Sequence, residues 1–130
     1  MFRVRIVTPE GFYTEDEVAI LNIVTPEGEM GILENHIPVV ASLEISIIST
    51  DNGTRKYYAI GEGTLQFQNN LALLLVDSCE AESEIDVERA LEAEKRAEKR
   101  IQSEDHRVDL TRAQKALKRA RTRLKLRGRY

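Results

Sequence analysis

The sequence predicts an α+β, mainly β chain in which an N-terminal antiparallel β-sandwich is followed by a C-terminal antiparallel two-helix hairpin. Three observations carry that reading. Residues 1–84 break into short alternating or β-branched runs separated by Gly, Asn and Pro turn signals, the pattern of many short strands. Residues 85–130 contain no Pro and Gly only at Gly128, and apolar residues recur there at three- and four-residue spacing. Between the two lies a strand-to-helix seam, Ser83-Glu84-Ile85-Asp86-Val87-Glu88-Arg89-Ala90. Ser83 and Asp86 carry short oxygen side chains suited to accept bonds from the first unpaired helix N–H groups, and Asp86 and Glu88 place negative charge where the helix dipole favours it.

Within the first region, Phe2, Val4 and Ile6 alternate as a half-buried strand, and Thr8-Pro9-Glu10-Gly11 fits a turn in which Pro presets φ. Val18 to Val24 reads as a second strand that ends in the same words: Ile6–Gly11 and Ile23–Gly28 are identical over six residues, seventeen apart. The echo predicts two similar strand ends. Gly28 to Pro38 reads as a long connection with work or structure of its own, in which His36 beside Asn35 is expected to brace the loop by a hydrogen bond. Val39 to Ser49 gives further strands, Asp51-Asn52-Gly53 and Asn69-Asn70 are tight turns, and Tyr57–Ile60 and Gly63–Phe67 continue the pattern. Leu71-Ala72-Leu73-Leu74-Leu75-Val76 is apolar throughout and is expected to be buried on both faces. Glu80, Glu82, Glu84 and Asp86 fall on alternate positions and read as a solvated strand face, with no convergent ligands to make a metal site.

In the second region Val87, Ala90 or Leu91, Ala97 and Ile101 form one seam, and Leu110, Ala113, Leu117, Ala120 and Leu124 the other. The polar stretch Gln102 to Arg107 is the expected turn, with Ser103 or Asp105 as caps. Alanine permits close helix approach but buries little area at ~25 cal/mol per Å². The hairpin is therefore expected to open readily.

Composition bounds the function. The 46 residues after position 84 are too few to bury much alone. No apolar run approaches the ~18 residues of a membrane span, and Met1-Phe2-Arg3-Val4-Arg5 alternates as a strand rather than as a secretory leader, so a soluble, cytoplasmic chain is expected. Cys79 is the one cysteine, which excludes an internal disulfide and reads as a small half-buried hydrophobe. The net charge of −3 conceals a polarity: residues 107–130 hold ten Lys and Arg against Asp109 alone, a net of +9, while the remainder carries −12. A basic tail of this kind docks on something acidic, in the same molecule or on a partner. Two isolated histidines, no Gly-rich phosphate loop and no nucleophile paired with a base argue against an enzyme. Nucleic-acid binding by the Arg-rich last helix is the rival class, opposed by the acidic remainder and by a basic segment whose one aromatic is Tyr130.

The chain resembles, over nearly its whole length, the epsilon subunit of bacterial F-type ATP synthases. The most specific match is Thr25-Pro26-Glu27-Gly28-Glu29-Met30-Gly31-Ile32-Leu33-Glu34-Asn35-His36-Ile37-Pro38, similar to that family's loop signature, with Glu34 departing from the Pro common there. The resemblance implies a non-catalytic central-stalk subunit, peripheral at the cytoplasmic face of the bacterial cell membrane. Its sandwich (1–84) would contact the gamma subunit and the c-ring, and its hairpin (85–130) would lie folded or extend toward the alpha and beta subunits to block ATP hydrolysis. Ile85-Asp86-Val87-Glu88-Arg89-Ala90 matches the family's I/L-D-x-x-R-A motif, which in some members binds ATP as a regulatory ligand and stabilises the folded hairpin. On that basis Glu80, Ile85, Asp86 and Ala90 are expected on the base and ribose side. Arg89 and Arg96 lie two turns apart on one helix and Arg119 and Arg123 at i,i+4 on the other, four forks able to meet triphosphate oxygens bidentately. A stalk subunit without physiological ATP sensing stays open beside this reading. So does simple surface pairing, such as Glu92 with Arg96.

Overall fold

The computed structural model describes residues 1–128; Tyr130, the basic segment's aromatic residue, lies outside the described residues. Ten strands build the sandwich: β1 (Phe2–Thr8), β2 (Gly11–Val18), β3 (Ile20–Thr25), β4 (Gly28–Leu33), β5 (Val39–Leu43), β6 (Ser46–Asp51), β7 (Arg55–Ile60), β8 (Gly63–Gln68), β9 (Leu71–Val76) and β10 (Cys79–Ala81). They form two five-stranded sheets, ordered β2-β1-β9-β8-β5 and β10-β7-β6-β3-β4. Every pairing is antiparallel except β1 with β9, where Arg3 to Val7 run alongside Leu71 to Leu75 in parallel. The sandwich and the two helices that follow it match the predicted fold class.

Alternation in the sequence sets the core. Phe2, Val4 and Ile6 point inward with Leu65, Phe67, Ala72, Leu74 and Val76, against Leu21, Ile23, Ile32, Ile48, Tyr58 and Ile60 from the second sheet. Phe2 and Phe67 meet edge to face with ring centroids 5.5 Å apart, the arrangement aromatic quadrupoles favour. The repeated hexapeptide is a repeated turn. Pro9-Glu10 joins β1 to β2 and Pro26-Glu27 joins β3 to β4, and in each the following glycine, Gly11 at φ 115° or Gly28 at φ 124°, takes a conformation that side chains resist. Asn69 and Asn70, at φ 51° and 55°, make the two-residue turn between β8 and β9.

Several expectations are corrected. Phe12 to Glu17 belongs to β2 and pairs with β1, and Val18, expected to open the Val18–Val24 strand, ends β2 instead, so that the next strand starts at Ile20. Half of the supposed long connection is β4, paired residue by residue with β3, and only 34–38 is loop. Its glycines concealed a strand: Gly31 lies where a Cβ would sit 3.5 Å from Asn22 Oδ1, while Ile32 fills the core. That loop is braced as expected. His36 Nδ1 donates to the Ile37 carbonyl at 2.7 Å, Asn35 N–H donates to Asn70 Oδ1 at 2.8 Å, and Asn70 Nδ2 returns a bond to Asn35 Oδ1 at 3.1 Å. The apolar run of β9 is buried on one face only, with Leu75 48% exposed, because the helices lie on the other sheet. The alternating acids do not share a strand face, since only Glu80 is on β10 and Glu82–Glu84 forms a 3-10 turn.

Helix α1 (Val87–Gln102) begins at Asp86, whose side chain accepts from Arg89 N at 3.1 Å; Ser83, the other candidate, sits in the 3-10 turn and caps nothing. Helix α2 (Leu110–Leu126) is capped by Asp109, which accepts from Arg112 N at 3.1 Å. Of the two caps expected in the turn, Ser103 is the C-cap of α1, its N–H donating to the Arg100 carbonyl at 3.2 Å, and Asp105 caps neither helix. Asp105 instead closes the turn itself, accepting from the backbone and guanidinium of Arg107, which holds its carboxyl below the usual range. The helices pack through Ala90 and Ala97 of α1 and Ala113, Ala120 and Leu124 of α2, the alanine-rich seam foreseen, while Leu91 and Leu110 face solvent. α2 rests on β6 and β7, on the sheet face opposite the core.

Candidate functional site

The cleft at the seam is built from three elements. β10 pairs with the end of β7, so the chain leaves the sheet at Ala81 and turns through Glu82–Glu84 into α1. Tyr13 on β2 fixes that exit: its hydroxyl donates to Glu84 Oε1, and Ala81 N–H donates to the same carboxylate oxygen at 3.0 Å and to the phenol oxygen at 3.1 Å. Burial first, then the Glu84 bond, raises the Tyr13 hydroxyl well above its ordinary range and keeps it a donor. Cys79 lies beneath, buried, with burial and the nearby Glu84 and Glu80 carboxylates pushing its thiol up to about 12. It is a protonated, inert core residue rather than a nucleophile.

Above this floor opens a cleft of about 350 Å³, within the size range of small-molecule sites, lined by Glu80, Glu84, Asp86, Arg89, Ala90, Glu92, Ala93, Arg96 and Arg123. Six of the eight expected residues are therefore brought together: Glu80, Asp86, Arg89, Ala90, Arg96 and Arg123. Ile85 is buried under the junction, where its carbonyl accepts from Arg127 Nη1 at 3.4 Å, and Arg119 is half-buried one turn farther from the seam than Arg123. Neither lines the cleft, so three guanidinium groups converge rather than four. Glu84, Glu92 and Ala93 were missed as site residues. Glu92 and Ala93 stand three and four residues after Arg89, with Arg96 at seven, and helical periodicity alone would have found them.

The charges are unevenly engaged. Arg123 Nε donates to Glu80 Oε1 at 2.5 Å with both side chains about a quarter exposed, which ties α2 to β10. Among the described residues, Arg89 and Arg96 make no ion pair, and Glu92 does not bridge to Arg96. Two unpaired guanidinium groups thus face the same cleft as carboxylates able to accept from ribose hydroxyls or a base. Planar forks for phosphate oxygens and carboxylate acceptors for hydroxyls or a base are the groups a nucleotide would need.

The architecture so far defines a class, a β-sandwich carrying a docked helical hairpin with an arginine-bearing cleft where they meet. Comparison with known proteins places it within one family. Residues 1–82 match the family model described as ATP synthase, Delta/Epsilon chain, beta-sandwich domain, and residues 83–128 match ATP synthase, Delta/Epsilon chain, long alpha-helix domain. The chain is similar to the ATP synthase epsilon chain of Bacillus cytotoxicus, 44% identical over 95% of this chain and 93% of that one. The corresponding chain of Halalkalibacterium halodurans is 39% identical over 97% and 96%. Among solved structures it is similar to a chain of the Euglena gracilis mitochondrial ATP synthase, OSCP/F1/c-ring in rotational state 1. The TM-score is 0.80 at 25% identity, covering 94% of this chain and 78% of that chain. A chain of the Tetrahymena thermophila mitochondrial ATP synthase central stalk and c-ring shares the fold, with TM-score 0.65 at 14% identity over 96% and 95%. The chain belongs to the ATP synthase epsilon-chain family, whose members are non-catalytic stalk subunits of the F-type enzyme. Among the described residues no helix is long and apolar enough to cross a membrane.

Proposed function

We propose that this chain joins rotor to catalytic head in the central stalk of a bacterial F-type ATP synthase. Its sandwich binds the gamma subunit and sits against the c-ring, and its hairpin restrains ATP hydrolysis by extending toward the alpha and beta subunits. ATP, as a ligand and not a substrate, holds the hairpin folded. The chain is peripheral at the cytoplasmic membrane face, held there through the complex.

The observation that carries the nucleotide reading is the pair of unpaired guanidinium groups, Arg89 and Arg96, sharing a cleft with Arg123 and Glu80. That cleft needs α1, α2 and β10 together. A ligand in it binds the folded arrangement and has no equivalent site on an extended arm, so it shifts the balance by its differential affinity. When bound, ATP supplies a dense negative charge for the arginines. Asp86 serves twice, as the cap that starts α1 and as an acceptor at the cleft wall. The +9 segment has the right sign for an acidic surface on the catalytic head.

Calorimetric titration of the full chain with ATP tests this. The expected result is saturable binding that Arg89→Ala weakens roughly 10- to 100-fold, the worth of charge-assisted bonds to phosphate. Equal heats from both proteins, or none from either, would remove the nucleotide reading and leave the stalk role standing. The stalk role has its own test in co-purification with gamma.

A further inference from the structure

We infer that the hairpin is fastened to the sandwich by an electrostatic latch, so that ionic strength sets how firmly it is docked; the inference does not depend on nucleotide binding. Three cations of α2 each hold a carboxylate from a different part of the sandwich. Lys115 Nζ lies 3.0 Å from Glu62 Oε1 between β7 and β8, and Lys118 Nζ lies 3.0 Å from Glu44 Oε2 between β5 and β6. Arg123 Nε reaches Glu80 on β10 at 2.5 Å. These anchors lie eight positions apart at their extremes, about 12 Å along the helix at ~1.5 Å per residue, so they fix its position and direction together.

The apolar part of the same interface is modest. Ala113, Ala120 and Leu124 of α2 serve the seam with α1, and on the sheet side Ile45 and Ala59 are buried outside the sandwich core, Ala59 on β7, which α2 contacts. Among the described residues α1 makes no ion pair with the sandwich. It is carried by α2, through Arg121, whose guanidinium bridges Glu94 at 3.3 Å and Glu98 at 3.1 Å. Docking of the hairpin therefore runs through α2, whose cations supply the ion pairs to the sandwich.

Lys115, Lys118, Glu62 and Glu44 are a third to a half exposed, so each of their pairs is weak alone and screened by salt. Together they make the sandwich an internal competitor for the charges that the arm would present elsewhere. Residues 1–84 carry a net −10 and residues 85–130 a net +7, so the folded chain brings opposite charges together.

The test is hydrogen exchange of the full, nucleotide-free chain at about 20 mM and about 500 mM NaCl, a range over which the Debye length falls from roughly 20 Å to 4 Å. Amides of α1 and α2 are expected to exchange several-fold faster at high salt, while those of β1 and β9 keep their rates and report that the sandwich is intact. Lys118→Glu is expected to give fast hairpin exchange already at low salt, and adding Glu44→Lys to it is expected to restore slow exchange. Salt-independent hairpin exchange would overturn the latch, and so would a charge-swapped chain no better protected than the single Lys118→Glu variant.

Discussion

Gly63→Ala is expected to keep the sandwich from forming its native first sheet. Gly63 opens β8 and stands opposite Val76 on β9 and Leu43 on β5. A Cβ there would run into the Leu75 carbonyl oxygen and lie 2.7 Å from Val76 Cα. Both obstacles are backbone of the middle strand of a five-stranded sheet, held on one side by β8 and on the other by β1. A side chain in the way can rotate. A central strand can yield only by giving up its ladder, so the cost should exceed the ~1–3 kcal/mol typical of an overpacked core. Urea unfolding is the measurement, with a large fall in midpoint or an insoluble product expected. Gly28→Ala is the control, because no atom lies within 4 Å of a Cβ there and only its φ of 124° resists the change.

Ala120→Leu is expected to undock the hairpin while leaving the sandwich folded. Ala120 is wholly buried on α2, in the layer that contacts both α1 and the second sheet. An isobutyl group in place of a methyl has no room unless the helices separate, at a cost of ~1–3 kcal/mol. Against a core of large apolar side chains that cost would be tolerated. Against a seam of alanines with Leu124 as its main large member, it decides the outcome. Hydrogen exchange should show α1 and α2 losing protection with β1 and β9 unchanged, and a single cooperative loss throughout would count against separate units.

The sandwich was legible because its turns carry their own chemistry. The doubled Thr-Pro-Glu-Gly, Asp51-Asn52-Gly53 and Asn69-Asn70 each mark a place where the backbone must adopt what few residues allow, and strand alternation between them followed. β2 and β4 were harder for opposite reasons. The stretch Thr14-Glu15-Asp16-Glu17 is too polar to look like a strand, although Glu15 pays its way through Arg5, 2.6 Å distant across the ladder, and Asp16 meets Lys56 at 3.5 Å. β4 looked like a loop because strand glycines and turn glycines are alike in sequence and differ only in what lies opposite. The parallel pairing of β1 with β9 joins residues nearly seventy apart and left no local sign.

At the cleft, helical spacing placed Arg89 and Arg96 together, while Asp86 and Ala90 beside them were expected only from the family motif that the chain resembles. What spacing could not supply was the vertical register of α2 against α1, because the turn runs on to Asp109 rather than stopping near Asp105. That register brings Arg123 to Glu80 and leaves Arg119 a turn away. The role of Tyr13 in fixing Glu84 depends on a contact across 71 positions and was visible only in three dimensions.

The hairpin is proposed to be a separately movable element which ATP holds in place. The most direct measurement is hydrogen exchange through α1 and α2 in the full chain, without ATP and with ATP at 100 times its dissociation constant. Local opening of a weakly packed pair of helices should expose their amides far more often than those of β9, and ATP should slow them by about 100-fold, equivalent to ~2.7 kcal/mol, without altering the sandwich. Hairpin amides as protected as those of β9, and equally so in both conditions, would contradict it.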